Sequence, residues 1–422
     1  MNAEILSIGD ELLIGQVTNT NASYLGEQLS LLGITVRRVS TVGDRIDDLL
    51  DAFARAWNEH DVIITTGGLG PTHDDITREA VCRFFDTGLV ENAEVLADIK
   101  RLLLERKRPL SASNRDQAMV PAAAGIIRNT NGTAPGYHFH RDGKHLFVTP
   151  GVPYEMHGMM ESYILPHLRE QFTQARASLT ILTTGIAEST LADTLQGLES
   201  LHPSCSVAYL PSPIGVRVRL TALADDETFA RARLAELRTF ISDRAEEYVY
   251  GVDRETIEQN LGEMLISRSA TVAVAESCTG GLVTDRITNV PGSSRWFERG
   301  VVCYSNESKT ALLGVDPAII ASHGAVSRQT AEAMANGIRR TAGTAFGLST
   351  TGIAGPDGGS AEKPVGLVWI GISSDAGSFA FDFHFGSDRV RTKQRAAQAA
   401  LDILRRALMR LPLQPTSARS TT

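Results

Sequence analysis

No two cysteines in this chain of 422 residues stand close enough to suggest a pair: Cys82, Cys205, Cys278 and Cys303 are scattered, and no C-x-x-C occurs. That spacing argues against a disulfide framework and a structural zinc site, so the thiols are expected to stay reduced. Long apolar runs are also missing. No stretch approaches the roughly 18 residues of a membrane span, and the opening MNAEILSIGDELL has no basic segment followed by an apolar one. A cytoplasmic protein with no membrane partner is expected. Positive charge is in deficit, with 41 Lys and Arg against 49 Asp and Glu, a formal net charge of -8. Nucleic acid and anionic lipid are gripped by clustered positive charge, so neither is an expected partner, although a local basic face is not excluded.

The length exceeds one ordinary core, and roughly 150 residues per domain suggests about three. Over the first 150 or so residues AEILSIG, NASYLGEQLSLLG, ITVRRVSTVG, RIDDLLDAFARAW, DVIITTGG and DDITREAVCRFF alternate strand and helix patterns, which read as βαβ units on a parallel sheet. Ligands then belong at the carboxyl ends of the strands, where GDELL and GGLGPTHDD fall. A second region, about 175 to 250, reads as two strands beside two helices, a small α+β module, with GVDRETIEQ as a hinge beyond it. The third region runs helix, strand (TVAVAES), helix, strand (RGVVCYS), helices, three strand-like runs (AFGLSTTG, VGLVWIGIS, SFAFDFHFG) and a last amphipathic helix. The tail PLQPTSARSTT has little to bury and is expected to be disordered.

In the first region, Asp10 and Glu11 in IGDELLIG and Asp74 and Asp75 in GGLGPTHDDIT are carboxylates at adjacent strand ends. Such a set suits a divalent metal held against a diphosphate, while Gly67, Gly68 and Gly70 let backbone N-H groups approach phosphate oxygens. Helix capping is the competing account for one of the two Asp residues. Asn19 and Asn21 read first as turn residues and second as ligand contacts.

The third region is denser in reactive side chains. Ala275-Glu276-Ser277-Cys278-Thr279-Gly280-Gly281 lies where the apolar run TVAVA ends and the helical pattern LVTDRITNV begins. A Ser with two Gly at such a turn places a hydroxyl beside the N-H groups of a helix start, where anions bind and oxyanions are stabilised. Thr279, Gly280 and Gly281 are therefore expected at the substrate. Tyr304 and Lys309 in VVCYSNESK, Thr351, Gly352 and Gly355 in STTGIAGPDGG, and Arg389 in FGSDR add a phenol, an amine, a hydroxyl on a glycine turn and a guanidinium suited to phosphate. Together they describe an acyl-transfer or amide-hydrolysis site that also holds a phosphate. Ser277 is the candidate nucleophile, Lys309 the base if burial lowers its pKa, and Tyr304 a proton relay or donor. The bland readings are a Ser cap and a solvated lysine. Cys278 is the rival nucleophile, ranked lower because successive residues leaving a strand point to opposite faces. His323 reads as a structural or turn residue and Lys363 as solvated, though near the glycine loop.

The motifs also carry a resemblance. IGDELLIGQVTNTNASYL, TTGGLGPTHDDITREA, SNRDQAMVP, NGTAPG and TPGVPYEM resemble the molybdopterin-binding-like domain that opens proteins of the CinA family (competence/damage-inducible protein A). AESCTGGLVTDRITNVPGSS, WFERGVVCYSNESK, HGAVS, TTGIAGPDGGSAEKPVGLVWIG and FGSDR resemble that family's nicotinamide-nucleotide amidohydrolase domain, and TTGIAEST and RVRLTA its KH-like connector. The resemblance covers essentially the whole chain except the tail.

It implies an α/β protein in three parts. These are a parallel-sheet molybdopterin-binding-like domain at 1–170, an α+β KH-like module at 175–250 and an α/β amidohydrolase domain at 255–411, with a tail at 412–422. For the first domain it implies ADP-ribose pyrophosphatase activity with Mg, Mn or Co on Asp10, Glu11, Asp74 and Asp75, and a substrate site including Asn21, Gly67, Gly68, Thr72 and Arg115. For the last it implies cofactor-free hydrolysis of the carboxamide of nicotinamide mononucleotide to nicotinate mononucleotide and ammonia. A homodimer is likewise implied. The likeness to molybdenum-cofactor enzymes is one of fold and phosphate-binding turns and does not imply pterin binding. One departure is Lys393 in RVRTKQRAA, where many relatives carry a second Arg, which lowers the affinity expected for phosphate. The rival readings are a competence or DNA-repair binding protein and a molybdopterin-processing first domain. Against the former, TTGIAESTLADTL lacks the G-x-x-G loop that clamps a nucleic-acid backbone.

Overall fold

The computed structural model describes residues 1–72, 75–170, 175–224 and 226–414. Contacts divide the chain into two compact units, Met1–Arg176 and Ala177–Thr422.

The first unit contains β1 (Asn2–Ile8), β2 (Thr35–Val42), β3 (Val62–Thr66), β4 (Leu89–Glu91), β5 (Met119–Pro121), β6 (Gly125–Ile127), β7 (Gly136–Arg141) and β8 (Lys144–Thr149). Six of these form one sheet in the order β2-β1-β3-β8-β7-β6. The β2-β1-β3-β8 pairs are parallel, as the alternating pattern implies, and β7 and β6 close the edge antiparallel. Every residue of β3 is buried, the signature of a strand covered on both faces. Leu6 and Ile63 enter one core with Phe53, whereas Ile5 and Ile64 enter the opposite core with Leu25 and Phe147. Alternation along a strand thus feeds two layers of helices.

In the second unit β9 (Ala175–Thr183), β10 (Cys205–Ser212), β11 (Gly215–Ala224) and β12 (Val249–Val252) make a sheet in the order β10-β11-β9-β12. Four strands replace the two expected. β12 takes up the first two residues of the hinge segment 251–259 and pairs antiparallel with β9, and the chain turns within that segment at Asp253, whose φ is 53°. Helix Glu227–Ala245 covers this sheet through Ala230, Leu234, Leu237 and Ile241.

The last sheet runs β14-β13-β15-β16-β17, from β13 (Val272–Glu276), β14 (Phe297–Val302), β15 (Phe346–Gly352), β16 (Leu367–Ser374) and β17 (Gly377–His384). The first three are parallel and the others antiparallel. Helix Arg389–Met409 packs on it and also holds the middle module. Buried Arg405 donates to the carbonyls of Val249 (2.9 Å) and Glu247 (2.6 Å) and pairs with Asp402, and buried Arg406 meets the Glu247 carboxylate at 2.6 Å. Middle and C-terminal regions therefore form one unit. The tail begins later than expected: Leu413 packs against the core and the Pro412 carbonyl accepts from Arg406, while 415–422 lie outside the described residues.

Candidate active site

Strand β13 ends at Glu276, and Ser277 follows with its N-H tied to the carbonyl of Thr350 on β15 at 2.9 Å. Helix Asn306–Leu313, begun by the Ser305 cap, directs Lys309 inward until only 1% of it is exposed. Its Nζ lies 3.1 Å from Ser277 Oγ, 3.0 Å from the Cys303 carbonyl and 3.2 Å from the Tyr304 carbonyl. Burial lowers the Lys309 pKa against the weaker raising effect of Cys303, Cys278 and Tyr304. A neutral amine has two hydrogens for the two carbonyls and a lone pair for the serine hydroxyl. The fold thus brings together the two residues that the sequence offered as candidate nucleophile and base.

Cys278 turns into the core beside Val274 and Val283, and burial pushes its thiol up to about 12. Burial thus favours its protonated form, which supports Ser277 over it as the candidate nucleophile.

The helix start behaves differently from the expectation. Glu276, fully buried, accepts from the N-H groups of Gly281 (2.9 Å), Val283 (3.1 Å) and Thr284 (2.8 Å) and from the hydroxyls of Thr279 and Thr284 (both 2.7 Å). The donors of helix Leu282–Thr288 are consumed inside the protein and are not open to a substrate anion. Thr279 is buried and also meets Thr350 Oγ1 at 2.7 Å, so its duty is to hold the loop. Gly280 and Gly281, with φ of 63° and 94°, supply the left-handed turn that lets Glu276 reach back. Thr351 spends its hydroxyl on the Ala325 carbonyl at 2.7 Å and is also structural.

A cationic rim stands nearby. Arg389, exposed at the start of the last helix, donates to the Gly355 carbonyl at 2.8 Å and to Tyr304 Oη at 3.2 Å. Tyr304 serves Lys309 through its carbonyl, while its ring is 62% exposed and its hydroxyl faces the guanidinium. Gly352 ends β15 below this turn. A methyl group on Gly280 would lie 3.5 Å from Lys393 Nζ, so that lysine also overlooks the loop. Lys363 is not simply solvated, because it donates to the carbonyl of His323, the last residue of helix Pro317–His323, at 2.7 Å.

In the first unit, the carboxyl ends of β1, β3 and β8 open on a cavity of about 570 Å³ lined by Asp10, Glu11, Asp44, Asp75, Gly67 and Gly68. Asp44 and Asp10 exchange backbone hydrogen bonds, each N-H to the other's carboxylate, at 3.0 and 3.2 Å. The Asp44 carboxyl is raised by burial and further by the charges of Asp10, Glu11 and Asp75. Four carboxylates lining one cavity are a hard oxygen donor set that fits a divalent cation. Asp75 has a second duty, accepting from Gly70 N (2.7 Å), Thr72 N (2.8 Å) and Thr72 Oγ1 (2.5 Å). Asp74 lies outside the described residues.

Asn19 caps helix Thr20–Leu31, the bland reading. Asn21 bridges two strand ends, donating to Thr66 Oγ1 and the Gly151 carbonyl, both at 2.8 Å. Arg115, which the resemblance placed at the substrate, is not brought to this cavity. It pairs with Glu91 at 3.3 Å on an exposed face and does not line the cavity. Two residues do what was not expected of them. Asp44 follows β2 in VGDR, with no motif to flag it. Gln117 lines the cavity, and among the described residues neither polar atom of its buried amide has a partner. Such a group asks for a ligand or water, and its signal was available within SNRDQAMVP.

Two parallel-sheet sites and an α+β module in series define the class: a modular α/β protein with reactive groups at strand ends. Three family descriptions match it, the probable molybdopterin binding domain over residues 4–170, the damage-inducible protein CinA KH domain over 178–251 and the CinA C-terminal domain over 254–408. The chain belongs to the CinA family. It is 42% identical over 410 residues to a competence-damage inducible protein of Caldicellulosiruptor saccharolyticus, covering 97% of this chain and 100% of that one. It is 42% identical over 417 residues to a CinA-like protein of Chloroherpeton thalassium, covering 97% and 99%. The crystal structure of the competence/damage inducible protein CihA from Agrobacterium tumefaciens is 38% identical, covers 37% of this chain and 97% of its own, and superposes with a TM-score of 0.35. Among the described residues no helix is long and apolar enough to cross a membrane.

Proposed function

We propose that the C-terminal site hydrolyses the carboxamide of nicotinamide mononucleotide to nicotinate mononucleotide and ammonia. The observation that carries this reading is the buried 3.1 Å contact between Lys309 Nζ and Ser277 Oγ. Lys309 takes the Ser277 proton as Oγ bonds to the amide carbon, and the ammonium so formed rests on the carbonyls of Cys303 and Tyr304. It then returns the proton to the leaving nitrogen, ammonia departs, and an ester to Ser277 remains. Water, losing its proton to Lys309, releases the acid and restores the hydroxyl. Arg389 and Lys393 suit the phosphate, and the exposed Tyr304 ring suits the flat pyridine.

The N-terminal cavity is read as the site of a second activity, cleavage of ADP-ribose to AMP and ribose 5-phosphate. Asp10, Glu11, Asp44 and Asp75 would hold a divalent ion, Mg, Mn or Co, which supplies charge neutralisation at the diphosphate. Gln117 and the glycine turn at Gly67 and Gly68 orient the substrate. The family resemblance extends the reading to a homodimer.

Incubation with nicotinamide mononucleotide and measurement of ammonia tests the leading reading. Stoichiometric ammonia and nicotinate mononucleotide, absent with Ser277→Ala, are expected. No ammonia from folded wild-type protein would overturn it.

A further inference from the structure

Four of the ten histidines converge in one patch of the first unit, away from the carboxylate cavity. His138 and His140 alternate on β7 and so share a face. His145, on β8, pairs with His140 in register, and His167 comes from helix Leu165–Arg169. His138 Nε2 stands 3.0 Å from His145 Nδ1, and one ring nitrogen from each of His138, His145 and His167 lies within 4.8 Å of the other two.

We propose that His138, His145 and His167 form a binding site for a divalent transition metal of zinc's class. Metal-nitrogen bonds of about 2.0–2.1 Å in tetrahedral array separate ligand nitrogens by about 3.4 Å, so modest side-chain shifts reach that geometry. The surroundings are those of a ligating histidine. His138 Nδ1 meets Tyr163 Oη at 3.1 Å, an outer partner that fixes the ring and directs Nε2 toward the other two imidazoles. His138 and His145 are buried while His167 is half-exposed, so an ion has an approach from the helix side. His140, exposed, stacks on His145 with ring centroids 4.3 Å apart and lies outside the three-nitrogen group, which leaves the fourth position to water.

This donor set is chemically unlike the acidic cavity. Imidazole nitrogens suit Zn, Cu and Ni, whereas carboxylates suit Mg, Mn and Ca. Four residue steps along β8 separate His145 from Thr149 at the cavity end, a span of about 13 Å at the rise of a strand. A metal here would staple helix Leu165–Arg169 to the β7-β8 hairpin without touching either proposed reaction.

The test is equilibrium dialysis of metal-free full-length protein against Zn²⁺ in excess Mg²⁺, with Co²⁺ absorption reporting geometry. One equivalent more zinc in wild type than in His167→Gln is expected, with tetrahedral Co²⁺ bands lost in that variant. Asp10→Asn should keep the equivalent, and Tyr163→Phe should weaken it about tenfold. His167 is half-exposed, so its substitution should leave the circular dichroism unchanged. Equal zinc in wild type and a folded His167→Gln, or no retained zinc in wild type, would show a stacked imidazole cluster and sink the proposal.

Discussion

At the carboxyl end of β13 the one carboxylate, Glu276, is buried and takes five hydrogen bonds from its own loop and helix. Beyond the carboxyl ends of β1, β2 and β3 the carboxylates of Asp10, Asp44 and Asp75 instead gather around a cavity, where burial and then the charges of its neighbours raise the Asp44 pKa. The same place on a parallel sheet is thus equipped in two ways. Where the protein satisfies its acid internally, the pair left over is a hydroxyl and an amine whose pKa burial lowers. Where it leaves several acids facing a cavity, the chemistry asks for a cation. Family and fold alone do not draw that distinction, because both sites follow glycine turns after buried strands.

The largest effect that would break the comparison is expected at the C-terminal pair. Ser277→Ala and Lys309→Met should each lower the deamidation kcat by at least about 10³-fold, and the double variant should lose little more, since groups acting as one unit are non-additive. ADP-ribose cleavage should be untouched. Additive losses in steady-state kinetics would remove Lys309 from the proton transfer.

Next comes chelation. EDTA should abolish ADP-ribose cleavage and leave ammonia release unchanged; equal inhibition of both would erase the contrast between the sites. Asp75→Ala should imitate chelation and also cost about 1 kcal/mol of stability, because three loop donors lose their acceptor. Denaturant titration reads that term.

Glu276→Gln should lower both deamidation kcat and stability, the latter by about 3 kcal/mol, since an amide turns N-H groups toward donors that a carboxylate accepted. Unchanged melting with unchanged kcat would show that the loop does not depend on its internal acid.

The pH profile sharpens the same point. Lys309 is lowered by burial, so its amine becomes a free base below the ordinary lysine range. Deamidation kcat should therefore rise with pH through that lowered value and then level. Between the folded value and the ordinary one the unfolded chain binds more protons, so this group's contribution makes stability rise with pH and fall as pH drops through the folded value. Lys309→Met should flatten the stability dependence across that window.

The smallest effect is expected at the rim: Arg389→Ala should raise KM for nicotinamide mononucleotide about tenfold with kcat nearly unchanged. A kcat loss without a KM change would move the guanidinium from phosphate binding to positioning Tyr304.

Much of the architecture was legible because strands of a parallel sheet are apolar on both faces and glycine turns mark their ends. AEILSIG, DVIITTGG and TVAVAES all became strands whose carboxyl ends meet the candidate sites. Ser277 and Lys309 stood out through position and residue type, and the fold sets them 3.1 Å apart. Arg115 was not legible, because a charged residue near a motif says nothing about which way a short helix turns it. β12 was hidden because four residues before a turn carry too little periodicity to announce a strand.

By itself the sequence determined the order of elements, the glycine turns and the kinds of reactive group available, since these follow from local pattern and residue chemistry. Only the tertiary structure decided which groups remain unspent. Glu276 accepts from a helix seven residues on, Lys309 is desolvated by burial, Asp44 joins three acids from other segments, and among the described residues Gln117 stands without a partner in the cavity. Each outcome depends on neighbours distant in sequence, because burial and hydrogen-bond satisfaction are properties of the assembled surroundings.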